Sequence, residues 1–133
     1  MTRYLLDTNT ISDFIRRPHG PVAGRIRRLG AGAICTSIIV AAELRFGVEK
    51  RGSRKLATRI AEALDTLAVL PFAPPADAAY AVIRANLEKA GRPIGANDLL
   101  IAAHAVSLGC TLVTDNERDF ARISGLSAEN WLP

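Results

Sequence analysis

The chain has 133 residues, of which 49% are hydrophobic and 23% are charged, and its formal net charge is +4 at pH 7. This length suits about one domain, and this composition excludes a disordered chain. No apolar run reaches the roughly 18 residues that span a membrane, and the N-terminus lacks a signal-peptide pattern. We therefore expect a cytoplasmic protein without a membrane partner.

The charge is unevenly distributed along the chain. Residues 1–60 carry twelve lysines and arginines against four acids, whereas the remaining residues carry five against nine. A basic half favours a polyanionic partner such as RNA or DNA, because clustered cations gain by releasing condensed counterions. A solvated basic face without a partner explains the same pattern, and charge alone does not decide between the two.

Short β-prone runs alternate with helical patterns in chain order. Strands are predicted at 4–7, 33–36, 67–70 and 110–114, in the runs YLLD, AICT, LAVL and CTLVT. Helices are predicted at 22–29, 38–49, 53–67, 76–90 and 96–108, from apolar spacing, capping residues and terminal glycines. This alternation predicts one α/β domain over residues 1–133, with a parallel sheet covered on both faces.

Four carboxylates stand out because of what surrounds them. Asp7 and Asp115 follow the first and last predicted strands, where ligands of parallel sheets bind. Glu43 lies in SIIVAAELRFG, a stretch otherwise apolar from 38 to 44, and Asp98 precedes LLIAAHAV. A buried carboxylate is costly unless something neutralises it. The four side chains are therefore candidates for one acidic site.

Each of these carboxylates also has a structural interpretation. Asp7 can cap a short helix, and Asp98 lies in a first turn where the helix dipole favours an anion. Asp115 can form an Asx turn, and Glu43 can pair with Arg45. Taken together, four carboxylates beside apolar elements of so small a domain are harder to explain in this way.

Converging carboxylates repel one another unless a cation lies between them. Oxygen ligands suit Mg²⁺ or Mn²⁺ better than zinc, and two such ions about 4 Å apart can activate water against a phosphodiester. A basic rim around an acidic, metal-binding centre is the arrangement of a nuclease. We expect Thr8 and Asn9 to hold the Asp7 carboxylate or to contact phosphate.

Other chemically suggestive residues have simpler interpretations. Cys35 and Cys110 lie in apolar runs, apart from any cluster of metal ligands, and are expected to be small core residues. His104 would point about 120° away from the preceding acidic position of its helix, so a core or subunit-interface role is expected. Trp131 is expected to anchor the chain end. Phe46 could contact a protein partner, but we expect it in the core.

Five segments together carry a resemblance to a known family: LLDTN (5–9), SIIVAAELRFGVEK (37–50), GRPIGANDLLIAAHA (91–105), LVTDNERDF (112–120) and GLSAENW (125–131). In these segments the chain resembles the PIN-domain ribonucleases, specifically the VapC toxins of bacterial type II toxin–antitoxin systems. The resemblance implies a three-layer α/β/α fold with a central, mainly parallel sheet of four to five strands.

The resemblance also implies roles for individual residues. Asp7, Glu43 and Asp98 match the three main acidic positions of the family site, and Asp115 matches a fourth that is often Asn. Asp7 and Asp98 would bind a first metal ion, and either Asp115 or Asp119 a second. The metal would be Mg²⁺ or Mn²⁺. Supporting contacts to carboxylates or substrate would come from the polar neighbours Thr8, Asn9 and Asn116.

The function implied by the resemblance is a toxic endoribonuclease that cleaves tRNA or ribosomal RNA loops. A small VapB-type antitoxin would block the site, and the chain would form a homodimer or a hetero-oligomer with the antitoxin. An aspartyl-phosphate enzyme is disfavoured, because Asn9 stands where the second aspartate of such phosphatases is needed and no lysine follows Lys89. A PIN module that binds RNA or antitoxin without cleavage is the remaining alternative.

Overall fold

The computed structural model describes residues 2–133. Five strands form one sheet: β1 (Tyr4–Leu6), β2 (Ile34–Ser37), β3 (Ala68–Leu70), β4 (Thr111–Val113) and β5 (Ala128–Glu129). Seven α-helices lie between or beside them: α1 (Thr8–Arg16), α2 (Pro21–Leu29), α3 (Ile38–Arg51), α4 (Arg54–Thr66), α5 (Ala76–Lys89), α6 (Ala96–Leu108) and α7 (Glu117–Phe120). A single 3₁₀ turn, Ala31–Ala33, precedes β2.

The sheet is parallel throughout, with the strand order β3-β2-β1-β4-β5. The central strand β1 pairs with β2 on one side and with β4 on the other, so that Leu6 lies opposite both Thr36 and Val113. The chain first adds strands on one side of β1 and then crosses to the other. This reversal creates a crevice beyond the carboxyl ends of β1 and β4, where parallel sheets bind ligands.

Helices cover both faces of the sheet. Leu5 and Leu6 of β1 point to opposite faces, and both are fully buried. The five consecutive residues 101–105 of α6 are also buried, as its continuous apolar sequence predicts. The predicted three-layer α/β fold and mainly parallel sheet are therefore confirmed.

Three elements were not among the predicted strands and helices. The helix α1 was anticipated only as the short helix that Asp7 can cap, and the other two are very short. The strand β5 contains only Ala128 and Glu129, and α7 contains four residues. Segments of this length do not show a period in the sequence. The predicted helices otherwise agree with the structure to within a few residues, and α3 and α6 end at Gly52 and Gly109 in the left-handed conformation that glycine favours.

Most of the residues that were expected to be part of the core are buried, and one is not. Cys35 and Cys110 are buried free thiols, and His104 is buried with its Nδ1 2.7 Å from the Ser37 hydroxyl. Trp131 is 4% exposed and packs 5.2 Å from the Tyr4 ring, so it does anchor the chain end. The expectation for Phe46 was wrong: its side chain is 66% exposed on α3.

None of the helices within residues 2–133 is long and apolar enough to cross a membrane.

The two aromatic residues give a matched test of the core. We expect Trp131→Ala to lower the free energy of unfolding by about 3–5 kcal/mol, because it removes a buried aromatic side chain. Phe46→Ala, at an exposed position, should change it by less than about 0.5 kcal/mol. Urea unfolding followed by circular dichroism measures both values. Equal losses in the two variants would contradict the difference in burial between these side chains.

Candidate active site

The carboxyl ends of β1 and β4 carry the first two carboxylates of the site. Asp7 follows β1, and its backbone N–H donates to the Val113 carbonyl across the sheet at 3.0 Å. Asp115 lies two residues beyond Val113, the last residue of β4. The shared placement predicted from the sequence is therefore real, because β1 and β4 are neighbouring strands. Asp7 is 8% exposed, whereas Asp115 is exposed to solvent.

Thr114 and Thr10 hold the Asp7 carboxylate. The Thr114 hydroxyl donates to Oδ2 at 2.5 Å, and the Thr10 backbone N–H donates to Oδ1 at 3.4 Å. The Thr10 hydroxyl lies 3.4 Å from Oδ1 but is closer to the Val113 carbonyl, to which it donates at 3.1 Å. Asp7 is therefore the N-cap of α1 as well as a site carboxylate, so its structural interpretation is also correct. An N-cap side chain accepts from the second or third helical residue, and Thr10 is the third.

The first two residues of α1 hold different carboxylates. Thr8 donates to Glu43 Oε1 at 2.8 Å, and the Asn9 amide donates to both oxygens of Asp115 at 3.1 Å. The expectation that these side chains hold Asp7 was wrong, because the first helical turn directs them outward to α3 and to the end of β4. Both side chains nevertheless connect α1 to carboxylates of the same cluster.

Glu43 lies near the middle of α3 and reaches the site from the side. Its second oxygen accepts a 3.3 Å hydrogen bond from the Asn97 amide at the start of α6. Within residues 2–133 it forms no salt bridge, with Arg45 or with any other cation. Glu43 is only half-buried, and Ile38 and Phe46 of the same helix are exposed, so α3 is less enclosed than its apolar sequence predicts.

Asp98, in the first turn of α6, connects to the far side of the cluster through Asn116. The Asn116 amide donates to Asp98 Oδ2 at 3.4 Å and to Asp119 Oδ2 at 3.1 Å. Asp119 also pairs with Arg122 at 3.6 Å. Asp119 therefore has a cation partner and Asp115 has none among the described residues, but besides burial the charges of both carboxylates raise the pKa of Asp98.

The electrostatics show that these groups share one site. Burial raises the pKa of the Asp7 carboxyl from 3.8 to about 6, hydrogen bonds from Thr114 and Thr10 oppose this effect, and the charges of Asp115 and Asp98 add to it. Burial also raises the pKa of Asp98, followed by the charge of Glu43. Each rise reflects the cost of a negative charge away from water and beside other carboxylates.

The ligand set fits a hard divalent cation. Asp7, Glu43, Asp98 and Asp115 offer oxygen atoms only, and in the described part of the chain none of them forms a salt bridge. Across residues 2–133, no three acidic, histidine or cysteine side chains are close enough to hold an ion as they stand. Mg²⁺ usually keeps several of its waters and is bound through only one or two carboxylates, so it does not need three of these side chains in contact with it.

Three supporting residues were not identified from the sequence. Asn97 positions Glu43, whereas Thr10 and Thr114 hold Asp7. The sequence contains a signal for two of them. Thr114 precedes Asp115 directly after a strand, and Thr10 stands three residues after Asp7, where the donor to an N-cap side chain is expected. No comparable signal existed for Asn97, because its contact joins α6 to α3.

The family pattern of the PIN domain matches residues 4–126, which is most of the chain. This match agrees with the parallel sheet and with the acidic cluster at its carboxyl edge. The chain therefore belongs to the PIN-domain family. Ribonucleases with PIN domains generally depend on divalent metal ions.

Within the family, the chain is similar over nearly its whole length to VapC ribonucleases. It is 40% identical to Ribonuclease VapC2 of Haemophilus influenzae, over 99% of this chain and 100% of that protein. It is 35% identical to the tRNA(fMet)-specific endonuclease VapC of Shigella flexneri, over 98% and 99%. Its structure is similar to VapBC2 from Rickettsia felis bound to a promoter DNA fragment, with a TM-score of 0.88, 36% identity and coverage of 98% and 99%.

Asp7 should make the metal-free protein less stable at neutral pH than at acidic pH. A carboxyl whose pKa is higher in the folded than in the unfolded state loses folding free energy as the pH rises. Between about pH 4 and pH 6, with EDTA, we expect a loss of at most about 3 kcal/mol from Asp7. Asp7→Asn should remove this contribution, so it should be more stable than the wild type at pH 7. Urea unfolding across pH measures the difference.

With magnesium, the wild type should instead be more stable than Asp7→Asn at pH 7. Magnesium should stabilise the wild type against urea at pH 7, because a ligand that binds only the folded state shifts the equilibrium, and it should stabilise Asp7→Asn much less. Asp77→Asn, at an exposed first-turn position of α5, is the matched control and should behave like the wild type. If the free energy of unfolding changed with pH in the same way for wild type and Asp7→Asn, the raised pKa would not belong to Asp7.

Proposed function

We propose that this protein is a VapC-type toxin, a metal-dependent endoribonuclease that hydrolyses RNA phosphodiester bonds. The main observation in support of this proposal is the cluster of four carboxylates without cation partners among residues 2–133. This cluster lies at the sheet crevice of a chain that is 35–40% identical to proteins named as ribonucleases. We further propose that residues 1–133 form one PIN domain, since β5 lies beyond the matched residues but joins the same sheet.

We assign the metal ligands to Asp7, Asp98 and Asp115, with Mg²⁺ as the ion and Mn²⁺ as a substitute. Asp7 is the most rigid of the three, because two threonines fix both of its oxygens. When bound, the ion neutralises charge on the phosphate and lowers the pKa of water. Asp115, exposed and held by Asn9 alone, has the freedom to move toward Asp98.

The remaining groups position these carboxylates and the water. Glu43 completes the acidic cluster, and Thr8 and Asn97 fix its two oxygens from opposite sides. In-line attack of water on phosphorus forms one P–O bond and breaks the bond to the 3′ oxygen, which leaves with a proton. The products carry 5′-phosphate and 3′-hydroxyl ends, because the nucleophile is water and not the ribose 2′-hydroxyl.

We propose tRNA or a ribosomal RNA loop as the substrate, and tRNA(fMet) as the first to test. The relative from Shigella flexneri is named as a tRNA(fMet)-specific endonuclease and is 35% identical to this chain. The basic first half of the chain, with twelve lysines and arginines against four acids in residues 1–60, provides charge for such a polyanion. Substrates of this kind imply a cytoplasmic protein.

Asp98→Asn should abolish cleavage and leave the fold intact. Removing a metal-binding carboxylate should lower kcat/KM for tRNA by more than about 100-fold, since loss of supporting groups alone costs 10- to 100-fold. Asp7→Asn should have the same effect. The measurement is incubation with total RNA and Mg²⁺, followed by mapping of new 5′-phosphate ends. Circular dichroism checks the fold.

Asp77→Asn is the matched control for Asp98→Asn. Both aspartates lie in the first turn of a helix, so both changes remove a similar interaction with the helix dipole. The control should cleave at the wild-type rate. EDTA should stop wild-type cleavage, and excess Mg²⁺ should restore it. Binding without cleavage under all of these conditions would favour the non-cleaving PIN module instead.

We propose a VapB-type antitoxin as the protein partner, in line with the VapBC complex from Rickettsia felis. The exposed Phe46 of α3, three residues after Glu43, is suited to contact it. We also propose a homodimer, for which α5 offers an apolar outer face at Val82, 61% exposed, with exposed alanines at 78, 81 and 85. A face of small apolar residues allows two helices to approach closely.

Phe46→Ser should weaken binding of the antitoxin by about 30-fold, as expected for an aromatic side chain at the centre of an interface. Cleavage of RNA without antitoxin should remain unchanged, because the Phe46 side chain is 66% exposed and has no polar group to hold a carboxylate or an ion. Calorimetric titration with the VapB-type antitoxin measures the affinity. Leu108→Ser, at an exposed position on the far end of α6, is the control. Equal affinities for Phe46→Ser and wild type would contradict this role.

A further inference from the structure

A groove of about 300 Å³ leads away from the acidic cluster between α1 and α3. Both helices begin at the carboxyl ends of neighbouring parallel strands, so they run side by side away from the site. The hydrogen bond from Thr8 to Glu43 joins them at the acidic end. We name this feature the two-helix groove, and its walls are Thr8, Ser12 and Arg16 on α1 and Glu43, Gly47 and Arg51 on α3.

The two walls have the same spacing and the same order of chemistry. On each helix the three residues stand at positions i, i+4 and i+8, which brings them to one side. The carboxylate Glu43 comes first on α3 and its hydrogen-bond donor Thr8 comes first on α1; a small residue is second and an arginine third on each. Eight residues of α-helix span about 12 Å, so both arginines lie about 12 Å from the acidic end.

The middle of the two-helix groove is open. A Cβ atom built on Gly47 would meet no atom within 4 Å, and Ser12 faces it with a small side chain. Apolar residues of α3 and α4, Leu44, Leu56 and Ile60, line the groove beneath this opening. The groove is therefore a passage from carboxylates to arginines, with room between them for a chain.

The arginines at the far end are not engaged elsewhere. In residues 2–133 neither Arg16 nor Arg51 forms a salt bridge, and the Arg16 Nε donates only to the Ser12 carbonyl, at 3.4 Å. By contrast, Arg17 pairs with the buried Asp13 at 2.9 Å, and Arg59 donates to the Ile15 carbonyl at 2.8 Å. The basic first half of the chain thus keeps two particular guanidinium groups available at the groove.

We propose that Arg16 and Arg51 bind backbone phosphates of the RNA a few nucleotides from the scissile bond, with the strand lying along the two-helix groove. This inference rests on the proposed ribonuclease function. Single-stranded RNA carries a phosphate at every nucleotide, and a positively charged groove that follows the backbone is the usual way to hold it. The scissile phosphate lies at the acidic end, and the next phosphates along the strand reach the arginines.

Two roles unrelated to RNA must be distinguished from phosphate binding at these arginines. Arginine in the last turn of a helix stabilises the helix dipole, and both residues lie in last turns. Arg28 lies in the last turn of α2, is exposed and is outside the groove, so Arg28→Gln removes one positive charge, half the change of the double variant, at an equivalent helical position. An acidic protein segment could also bind these arginines, and the antitoxin measurement below distinguishes it from RNA.

The test measures binding of a short single-stranded RNA by fluorescence anisotropy over a range of salt, in EDTA so that the wild type does not cut the probe. Arg16→Gln/Arg51→Gln should bind at least about tenfold more weakly, and the slope of log K against log salt should become shallower by about 1.4, which is two contacts at 0.7 each. Arg28→Gln should match the wild type. In cleavage assays, KM should rise with little change in kcat, because these contacts are made equally in the ground and transition states.

Gly47→Leu supplies a second variant that does not change charge. Leucine has a higher helix propensity than glycine, so this variant should melt at a higher temperature than the wild type. Its side chain should nevertheless fill the groove and weaken RNA binding, an effect that loss of folding cannot explain. The binding measurements do not require cleavage, so a wild type that binds RNA but never cuts it would overturn the proposed function and leave the groove assignment testable.

Two results would overturn the groove assignment. One is wild-type RNA affinity and salt slope in Arg16→Gln/Arg51→Gln; if antitoxin binding is also weaker in that variant, the groove is a protein interface. The other is an equal loss of affinity in Arg28→Gln, which would show that charge anywhere on this half is sufficient.

Discussion

The structure depends on a carboxylate buried at the carboxyl end of the central strand. Asp7 is 8% exposed and has no cation partner among residues 2–133, so folding places a negative charge where water solvates it poorly. Its raised pKa of about 6 reflects that cost. The Thr114 hydroxyl, the Thr10 backbone N–H and the start of α1 offset part of it, and a bound divalent cation would offset the rest. The buried charge of Asp7 therefore lowers the stability of the metal-free protein at the position where the proposed chemistry needs a cation.

The other carboxylates follow from the position of Asp7. Each reaches the crevice from a different element: Glu43 from the side of α3, Asp98 from the first turn of α6 and Asp115 from the end of β4. Amide and hydroxyl groups, which do not neutralise a carboxylate, connect them. This choice of partner keeps the negative charge available to a cation, whereas the arginine partners found for Asp13, Glu88 and Asp119 would remove it.

The sequence could predict the elements and the kinds of site residue, but not how the elements meet. Asp7 and Asp115 were expected at strand ends because that inference uses local pattern, yet their adjacency depends on the strand order, which no local pattern contains. Asn9 and Asp115, in contact here, are 106 positions apart. Thr8 was assigned to the wrong carboxylate because the sequence does not show which side of α1 faces α3. Phe46 was placed in the core because an apolar helix was assumed to be enclosed.

In this fold the basic first half and the acidic later half of the chain provide different parts of the site. The basic first half forms β1, β2 and α1 to α4 and so provides the two-helix groove, whereas the later half provides Asp98 and Asp115. The acidic cluster lies along the boundary between the halves, where β1 meets β4. A polyanion bound to the basic half therefore lies next to the sheet edge that carries Asp98 and Asp115. Such a site exists only when the two halves are folded together, because neither half carries all four carboxylates.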